Sequence, residues 1–218
     1  MKVKILGVSG SPRKGNTEIL VQEALQAAEE IPDVKTEFVT LRGKKISPCL
    51  ACYQCVKNRT YCVIKDDMQD LFPKIAEADG LILGSPVYFH TVSAQLKAFM
   101  DRTTWLVKSK FFPEMPIKVD FSRKVGGAIA VGFDRHGGVE HTLATIIHYF
   151  LSLDMIVVSG FTPTSYIGAA AWTLGESSLK LDAVKADNLG LEASRQVGKR
   201  VAEIAKAIKI GLEHARTK

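Results

Sequence analysis

Short apolar runs alternate along the chain with stretches of helical periodicity, and this alternation is the strongest constraint on the fold. The runs that suit buried strands are residues 3–8, 34–41, 81–88, 125–131 and 155–158. Helical patterns cover residues 17–31, 68–78, 92–107, 139–153 and 181–214. Because each helix returns the chain to begin another parallel strand, the alternation predicts an α/β fold. We expect a doubly wound, five-stranded parallel sheet with helices on both faces.

The length and composition are those of one globular unit. The chain has 218 residues, of which 46% are hydrophobic and 24% charged, and this is ordinary for a globular domain. We expect a single domain over residues 1–218, with a cysteine-rich loop (46–65) inserted after the second strand and an irregular segment at 160–180. The first residues, MKVKIL, lead into a strand rather than a signal peptide, and no apolar stretch is long enough to cross a membrane. These features predict a cytoplasmic protein.

The loop after the first predicted strand has the composition of a phosphate site. In doubly wound sheets, ligands bind beyond the carboxyl ends of the strands. This loop, SGSPRKGNT, leads into a helix whose N-terminal N–H groups attract anions. Its spacing is neither that of a Walker A loop nor that of G-x-G-x-x-G, and it suits a monophosphate. The competing interpretation is a solvated turn with a helix N-cap at Asn16 or Thr17. The candidate residues are Ser9, Ser11, Pro12, Arg13, Gly15, Asn16 and Thr17.

Two further loops follow strands that should lie at the same edge of the sheet. In SPVYFH, after the third strand, two aromatic rings are suited to border a planar ligand, with backbone N–H groups around Val87 facing ring heteroatoms. The competing interpretation is that these aromatics only pack. Residues 132–140 would complete the rim of the same pocket. They include His136, but a single histidine in a loop is more often a surface residue than an acid or base. The candidate residues are Ser85, Pro86, Val87, Tyr88, Phe89 and Gly132.

All four cysteines lie in one short segment with the spacing C-x2-C-x2-C-x6-C. They are Cys49, Cys52, Cys55 and Cys62. Four thiolates on a compact loop favour an iron–sulfur cluster. Three alternatives stay open: structural zinc, which more often uses two separated C-x2-C pairs, free redox thiols, and disulfides, which a reducing compartment disfavours.

The excess positive charge of the chain lies around these cysteines. Residues 42–65 contain six basic residues and no acidic one. The whole chain has 29 basic and 23 acidic residues and a net charge of +6. Outside residues 42–65, therefore, the basic and acidic residues are equal in number. A basic segment confined to a cysteine loop is unlike a DNA-binding stripe and argues against nucleic acid as a partner. It suits an anionic cluster and an acidic protein partner.

The loops and the cysteine motif together resemble a known family. SGSPRKGNT, SPVYFHTVSAQLKAFMDR and the later GGVE are similar to the flavodoxin-like NAD(P)H-dependent FMN reductases, over about residues 1–160. With CLACYQC and CVIKDDM added, the chain more closely resembles the iron–sulfur flavoproteins of anaerobic prokaryotes. Those proteins have a flavodoxin-like fold, bind FMN and a [4Fe–4S] cluster, and form dimers that associate into tetramers.

The resemblance implies roles for the candidate residues. The phosphate and ribityl chain of FMN would be held by Ser9, Ser11, Arg13, Asn16 and Thr17. The isoalloxazine would be bordered by Pro86, Val87, Tyr88 and Phe89, and the cluster would be ligated by Cys49, Cys52, Cys55 and Cys62. No general acid or base is expected, because the cofactors carry the chemistry.

The resemblance also implies partners and a reaction. Electrons would pass from ferredoxin or another small electron carrier to an acceptor such as oxygen or peroxide, in a homodimer or homotetramer away from membranes. NAD(P)H is a further candidate donor. The alternative functions are an NAD(P)H-dependent FMN or quinone reductase without the cluster, and a redox sensor that binds a partner protein.

Overall fold

The computed structural model describes residues 2–134, 136–163, 165–176 and 179–216. The strands in this part of the chain are β1 (Val3–Ser9), β2 (Val34–Thr40), β3 (Gly80–Pro86), β4 (Val125–Gly132), β5 (Ile156–Val158) and β6 (Ala169–Trp172). The helices are α1 (Asn16–Glu29), α2 (Gln54–Lys57), α3 (Met68–Glu77), α4 (Ala94–Arg102), α5 (Thr104–Lys108), α6 (Val139–Ser152) and α7 (Asn188–Arg216). Short 3₁₀ turns occur at Phe121–Arg123 and Ala183–Ala186.

The strands form one parallel sheet in the order β2-β1-β3-β4, with β5 and β6 on the other edge of β4. β5 pairs with residues 125–127 of β4, and β6 pairs with residues 129–132. Two short strands therefore occupy, one after the other, the place of a single fifth strand. The resulting order 2-1-3-4-5 is that of flavodoxin-like sheets, with the switch point between β1 and β3. The predicted fold class is confirmed.

The sheet contains one strand that the sequence pattern did not predict. Residues 160–180 were expected to be irregular, and this is wrong for Ala169–Trp172, which form β6. The run AAAW has none of the β-branched residues that favour strands. It becomes a strand because it pairs with the free edge of β4, and a local pattern does not reveal such a long-range contact.

Two of the predicted helices are longer than those observed. The stretch 92–107 divides at Thr103 into α4 and α5, and α4 begins after Ser93, whose hydroxyl accepts a hydrogen bond from the Leu96 N–H. The last helix begins at Asn188 rather than at residue 181. Among the described residues, no helix has both the length and the apolar composition that a membrane span requires.

Each face of the sheet has its own hydrophobic core. One core lies under α3 to α6 and contains Phe72 and Phe150. The other lies under α1 and α7 and contains Val21 and Val197. The helices α1 and α7 approach closely at Gly198, where a Cβ atom would overlap the backbone of Ala24. This crossing therefore requires a glycine in α7.

Candidate functional site

A cavity of about 430 Å³ opens at the carboxyl ends of β1, β3, β4 and β6. Its volume is in the range of small-molecule sites. The three loops that the sequence selected meet there, because the carboxyl ends of parallel strands share one edge of the sheet. The cavity is lined by Ser11, Arg13, Asn16, Thr17, Pro86, Val87, Tyr88, Val131, Gly132, Phe133 and Thr173.

On one side of the cavity, the β1–α1 loop presents the N-terminus of a helix. Gly15 precedes α1 with φ 152°, and a Cβ there would lie 2.6 Å from the Leu181 carbonyl oxygen. In the described part of the chain no side chain caps this helix, so the N-cap of the competing interpretation, at Asn16 or Thr17, is not formed. The Ser11 hydroxyl donates to Arg13 O at 2.8 Å and accepts from Arg13 N at 3.2 Å. This ordered turn leaves the end of α1 open to an anion.

Asn16 faces the cavity but its side chain already has partners. Its Nδ2 donates to Lys180 O at 3.3 Å, and its Oδ1 accepts from Val184 N at 3.0 Å. The amide thus fastens the segment before α7 to the start of α1. The Asn16 side chain therefore positions this side of the cavity, with one of its two Nδ2 hydrogens already used.

The β3–α4 loop forms the opposite wall and ends in a tight turn. Tyr88 and Thr91 exchange two backbone hydrogen bonds, of 2.9 and 3.0 Å, around Phe89 and His90. Both central residues have positive φ, 43° and 66°. Phe89 is fully exposed and does not line the cavity. The Val87 N–H donates to Val131 O at 2.9 Å, so the expectation that this N–H faces a ligand ring is wrong in this structure.

Several predicted residues lie behind or beside the lining. Ser9 and Ser85 are fully buried. The Ser9 hydroxyl accepts from Ser11 N at 3.4 Å, and the Ser85 hydroxyl accepts from Ser93 N at 3.0 Å. Both residues therefore hold the loops in shape from within. The other candidates outside the lining are Pro12, Gly15 and Phe89, together with the exposed His136.

Three lining residues were not selected from the sequence. Val131 and Phe133 flank Gly132, the last residue of β4, so their position beside a predicted residue was available as a signal. Thr173 follows β6, the strand that the pattern missed. Its side chain carries a buried hydroxyl with no hydrogen-bond partner among the residues described.

The four cysteines line a second cavity, which is small, at about 20 Å³. All four are free of disulfides, with Cys55 buried and Cys52 exposed, so the disulfide alternative is not realised. Within the described residues, no three His, Cys, Asp or Glu side chains are grouped closely enough to ligate one metal ion. The lining consists of Cys49, Leu50, Cys52, Tyr53, Cys55, Cys62, Val63, Ile64, Arg102, Trp105 and Lys108.

Two cations from α4 and α5 border this cysteine cavity. Arg102 is almost fully buried, and its guanidinium pairs with Asp66 at 2.6 Å while it donates to Ser47 O and Ile64 O at 3.0 and 3.3 Å. It thereby joins the two ends of the cysteine loop. The Lys108 ammonium lies 3.7 Å from the Cys55 sulfur. Sequence reasoning looked for cations only inside residues 42–65, and it missed these two.

The Arg102 guanidinium lowers the pKa of Asp66 and keeps one N–H donor without a partner among the described residues. Burial raises the pKa of Asp66, but hydrogen bonds from Arg102, Ser47 N and Met68 N outweigh it and hold the pKa below its usual value. In the part of the chain described, Arg102 Nε has no partner. A buried, unpaired donor on a charged group is costly. The cysteine cavity therefore has a cationic wall suited to negative charge.

The sheet order and the cavity at its switch point define a flavodoxin-like protein. Comparison with known proteins agrees: a family profile described as NADPH-dependent FMN reductase matches residues 3–167. An iron-sulfur flavoprotein of Methanocaldococcus jannaschii is 45% identical over 210 residues, covering 95% of this chain and all of that protein. One from Archaeoglobus fulgidus is 43% identical over 201 residues, covering 92% and 96%. The chain belongs to the iron–sulfur flavoproteins within the NADPH-dependent FMN reductase family.

The solved structures agree on the fold. A WrbA-like flavodoxin from Agrobacterium tumefaciens superposes with a TM-score of 0.61, covering 95% of this chain and 99% of the other at 18% identity. At that identity the likeness bears on the fold alone. Its sequence relatives show that the protein is a flavoprotein, and sequence and structure agree on the flavodoxin-like fold.

Proposed function

We propose that the protein is an FMN-dependent electron-transfer oxidoreductase that binds FMN in the 430 Å³ cavity. This proposal is carried by one observation: the same cavity contains an uncapped helix N-terminus and an apolar wall. The end of α1, with Ser11, Arg13 and Thr17, has the donors that a monophosphate needs. Pro86 and Tyr88 offer flat surfaces for a ring.

The residues of the chain bind and orient the cofactors, which carry the redox chemistry. When bound, FMN exchanges one or two electrons and a [4Fe–4S] cluster exchanges one. The β1–α1 turn holds the phosphate end, and the β3–α4 turn, closed by the Tyr88–Thr91 hydrogen bonds, holds the ring end. Val131 and Gly132 form the floor between them. We assign no general acid or base.

For the cysteine loop, we propose a [4Fe–4S] cluster ligated by Cys49, Cys52, Cys55 and Cys62. The donor set fits in number and kind, since all four cysteines line one cavity. The cationic wall of Arg102 and Lys108 suits thiolates and an anionic cluster. In the described structure the thiols are not grouped closely enough to ligate one metal ion, so binding a cluster requires the loop to rearrange. The names of the relatives support the same proposal.

The proposed partner is ferredoxin or another small electron carrier, with oxygen or peroxide as candidate acceptors and a homodimer or homotetramer as the working unit. A reducing, cytoplasmic setting is part of this proposal, because free thiols persist there. The second candidate is an NAD(P)H-dependent FMN or quinone reductase without a cluster. The name of the matching family profile favours it. Steady-state oxidation of NAD(P)H would support the second candidate, and reduction by a protein carrier alone would support the first.

The flavin proposal is tested by titrating the flavin-free protein with FMN and with riboflavin, which lacks the phosphate. We expect FMN to bind at least about 10-fold more tightly, because the α1 end and Arg13 recognise the phosphate. Arg13→Gln should weaken FMN binding and leave riboflavin binding unchanged. Lys14→Gln is the matched control, because Lys14 is exposed and lies outside this lining. Equal affinities for FMN and riboflavin would contradict the assignment.

The cluster proposal is tested by anaerobic purification followed by iron, acid-labile sulfide and zinc assays. We expect about four irons and four sulfides per chain. Zinc without sulfide would indicate a structural zinc site instead, and neither metal would indicate free thiols. Cys55→Ser should abolish iron binding without removing FMN, since Cys55 does not line the flavin cavity.

A further inference from the structure

Thr173 has a buried hydroxyl that nothing in the described structure satisfies. The residue is 8% exposed, and its Oγ1 has no hydrogen-bond partner among the described residues. Buried hydroxyls in native proteins are paired in the large majority of cases, because an unpaired one forfeits its hydrogen bonds to water. Thr173 also lines the cavity to which we assign FMN. The Oγ1 atom itself is covered in this structure, so a partner in that cavity requires the Thr173 side chain to turn about its Cα–Cβ bond.

Hydrogen bonds hold the backbone around Thr173 in place. Thr173 N donates to Gly132 O at 3.0 Å, which continues the β4–β6 pairing by one residue. Trp172 N donates to the Asp187 carboxylate at 2.8 Å, and the Trp172 indole donates to Phe133 O at 2.7 Å. The end of β6 is thus tied to both β4 and the start of α7. The backbone that carries the Thr173 side chain is therefore fixed in position.

We propose that the Thr173 hydroxyl forms a hydrogen bond to bound FMN, so that β6 supplies a wall of the flavin site. This inference rests on the proposed function, since it requires FMN in this cavity. A threonine hydroxyl both donates and accepts, so a ring carbonyl, a ring nitrogen or a ribityl hydroxyl can satisfy it.

The strand order places this contact away from the phosphate. The phosphate loop follows β1, and β6 lies three steps further along the sheet, beyond β3 and β4. At about 4.8 Å per step, the ends of β1 and β6 are about 14 Å apart. Thr173 therefore meets the ring and ribityl part of FMN rather than its phosphate.

The test compares two buried threonines with the same defect. Thr162 also has a buried, unpartnered hydroxyl in the described part of the chain, but it does not line the flavin cavity. Thr173→Val and Thr162→Val each replace a hydroxyl with a methyl group at constant shape, and Thr173→Ser keeps the hydroxyl. Flavin-free protein of each variant is titrated with FMN by fluorescence quenching, and its urea unfolding is recorded without FMN.

Thr173→Val should weaken FMN binding about 3- to 10-fold, which is the usual worth of one hydrogen bond. Thr173→Ser and Thr162→Val should bind FMN as the wild type does. Without FMN, Thr173→Val should unfold at the same urea concentration as the wild type or a higher one, because it removes an unpaired buried hydroxyl. A purely structural role for Thr173 predicts the opposite, a lower unfolding midpoint.

Unchanged FMN affinity in Thr173→Val, in a protein whose wild type binds FMN, would overturn the inference and leave the proposed function intact. A lowered unfolding midpoint in that variant without FMN would also overturn it, because the hydroxyl would then have a partner within the protein. Absence of FMN binding by the wild type would overturn the proposed function itself, and the inference with it.

Discussion

At the scale of single residues, the buried Arg102–Asp66 pair organises the cysteine loop. One guanidinium holds Asp66, Ser47 and Ile64 together, and Asp66 also accepts from the N–H groups of Ser47 and Met68. Both charged side chains are largely excluded from water, at 1% and 8% exposure. A buried ion pair adds little to the free energy of unfolding, but removing one partner leaves the other charge buried and unpaired, which is destabilising.

Asp66→Asn should lower the free energy of unfolding by about 3 kcal/mol, because Arg102 would remain buried without a counter-charge. Asp101→Asn is the matched control, since Asp101 forms an exposed pair with Lys97 and should change stability by about 0.5 kcal/mol or less. Urea unfolding of both variants gives the comparison. Similar losses in the two variants would count against the buried pair.

The lowered pKa of Asp66 makes this contribution depend on pH. A carboxyl whose folded-state pKa lies below its unfolded value stabilises the protein above the unfolded pKa and loses that effect as pH falls. The stability gap between wild type and Asp66→Asn should be constant from pH 7 to about 5 and shrink below about pH 4. Urea unfolding at stepped pH measures this gap. A gap that stays unchanged at pH 3 would be inconsistent with the direction of the pKa shift.

At the scale of secondary-structure elements, the contact between α1 and α7 depends on one glycine. Gly198 lies where a Cβ would overlap the backbone of Ala24, whereas Gly211, in the same helix, has no described atom within 4 Å of its Cβ position. The two positions therefore respond in opposite ways to the same substitution. At Gly198 the helices must separate, and at Gly211 alanine only improves helix propensity.

Gly198→Ala should destabilise the protein by about 1–3 kcal/mol through overpacking. Gly211→Ala should be neutral or stabilise it by up to about 1 kcal/mol. Thermal unfolding of both variants measures the difference. If Gly198→Ala were as stable as wild type, the two helices could not be as close as the structure places them.

At the scale of the whole molecule, the excess positive charge is concentrated in and beside the cysteine loop. The excess of basic residues lies in residues 42–65, and Lys57 and Lys65 are exposed there. Lys108 adds a further positive charge beside Cys55, at the cysteine cavity. A positive surface next to a redox site steers an acidic carrier toward it, and salt screens this attraction.

Reduction of the protein by an acidic ferredoxin should slow about 10-fold between low and physiological ionic strength. Lys57→Glu combined with Lys65→Glu should remove most of this salt dependence. Lys35→Glu, an exposed lysine on β2 outside the basic segment, should leave it unchanged. Stopped-flow reduction rates measure the effect. Rates that do not vary with salt would rule out docking at this surface.

The sequence by itself determined the α/β class, the parallel sheet, and the loops that meet at the larger cavity. It could do so because strand and helix periodicity are local, and because parallel strands bring their carboxyl ends to one edge. The same reasoning selected Ser11, Arg13, Thr17, Pro86 and Tyr88, which line this cavity and lie at the carboxyl ends of β1 and β3 or in the segments after them.

Only the tertiary structure decided β6, the buried hydroxyl of Thr173 and the cations at the cysteines. Each depends on contacts between segments that are distant in sequence. The run AAAW is a strand only against the edge of β4. Arg102 and Lys108 line the cysteine cavity only because α4 and α5 pack against the loop. Asn16 similarly holds residues 180 and 184 through its side-chain amide. Local patterning carries no information on such pairings, since chain folding alone brings the partners together.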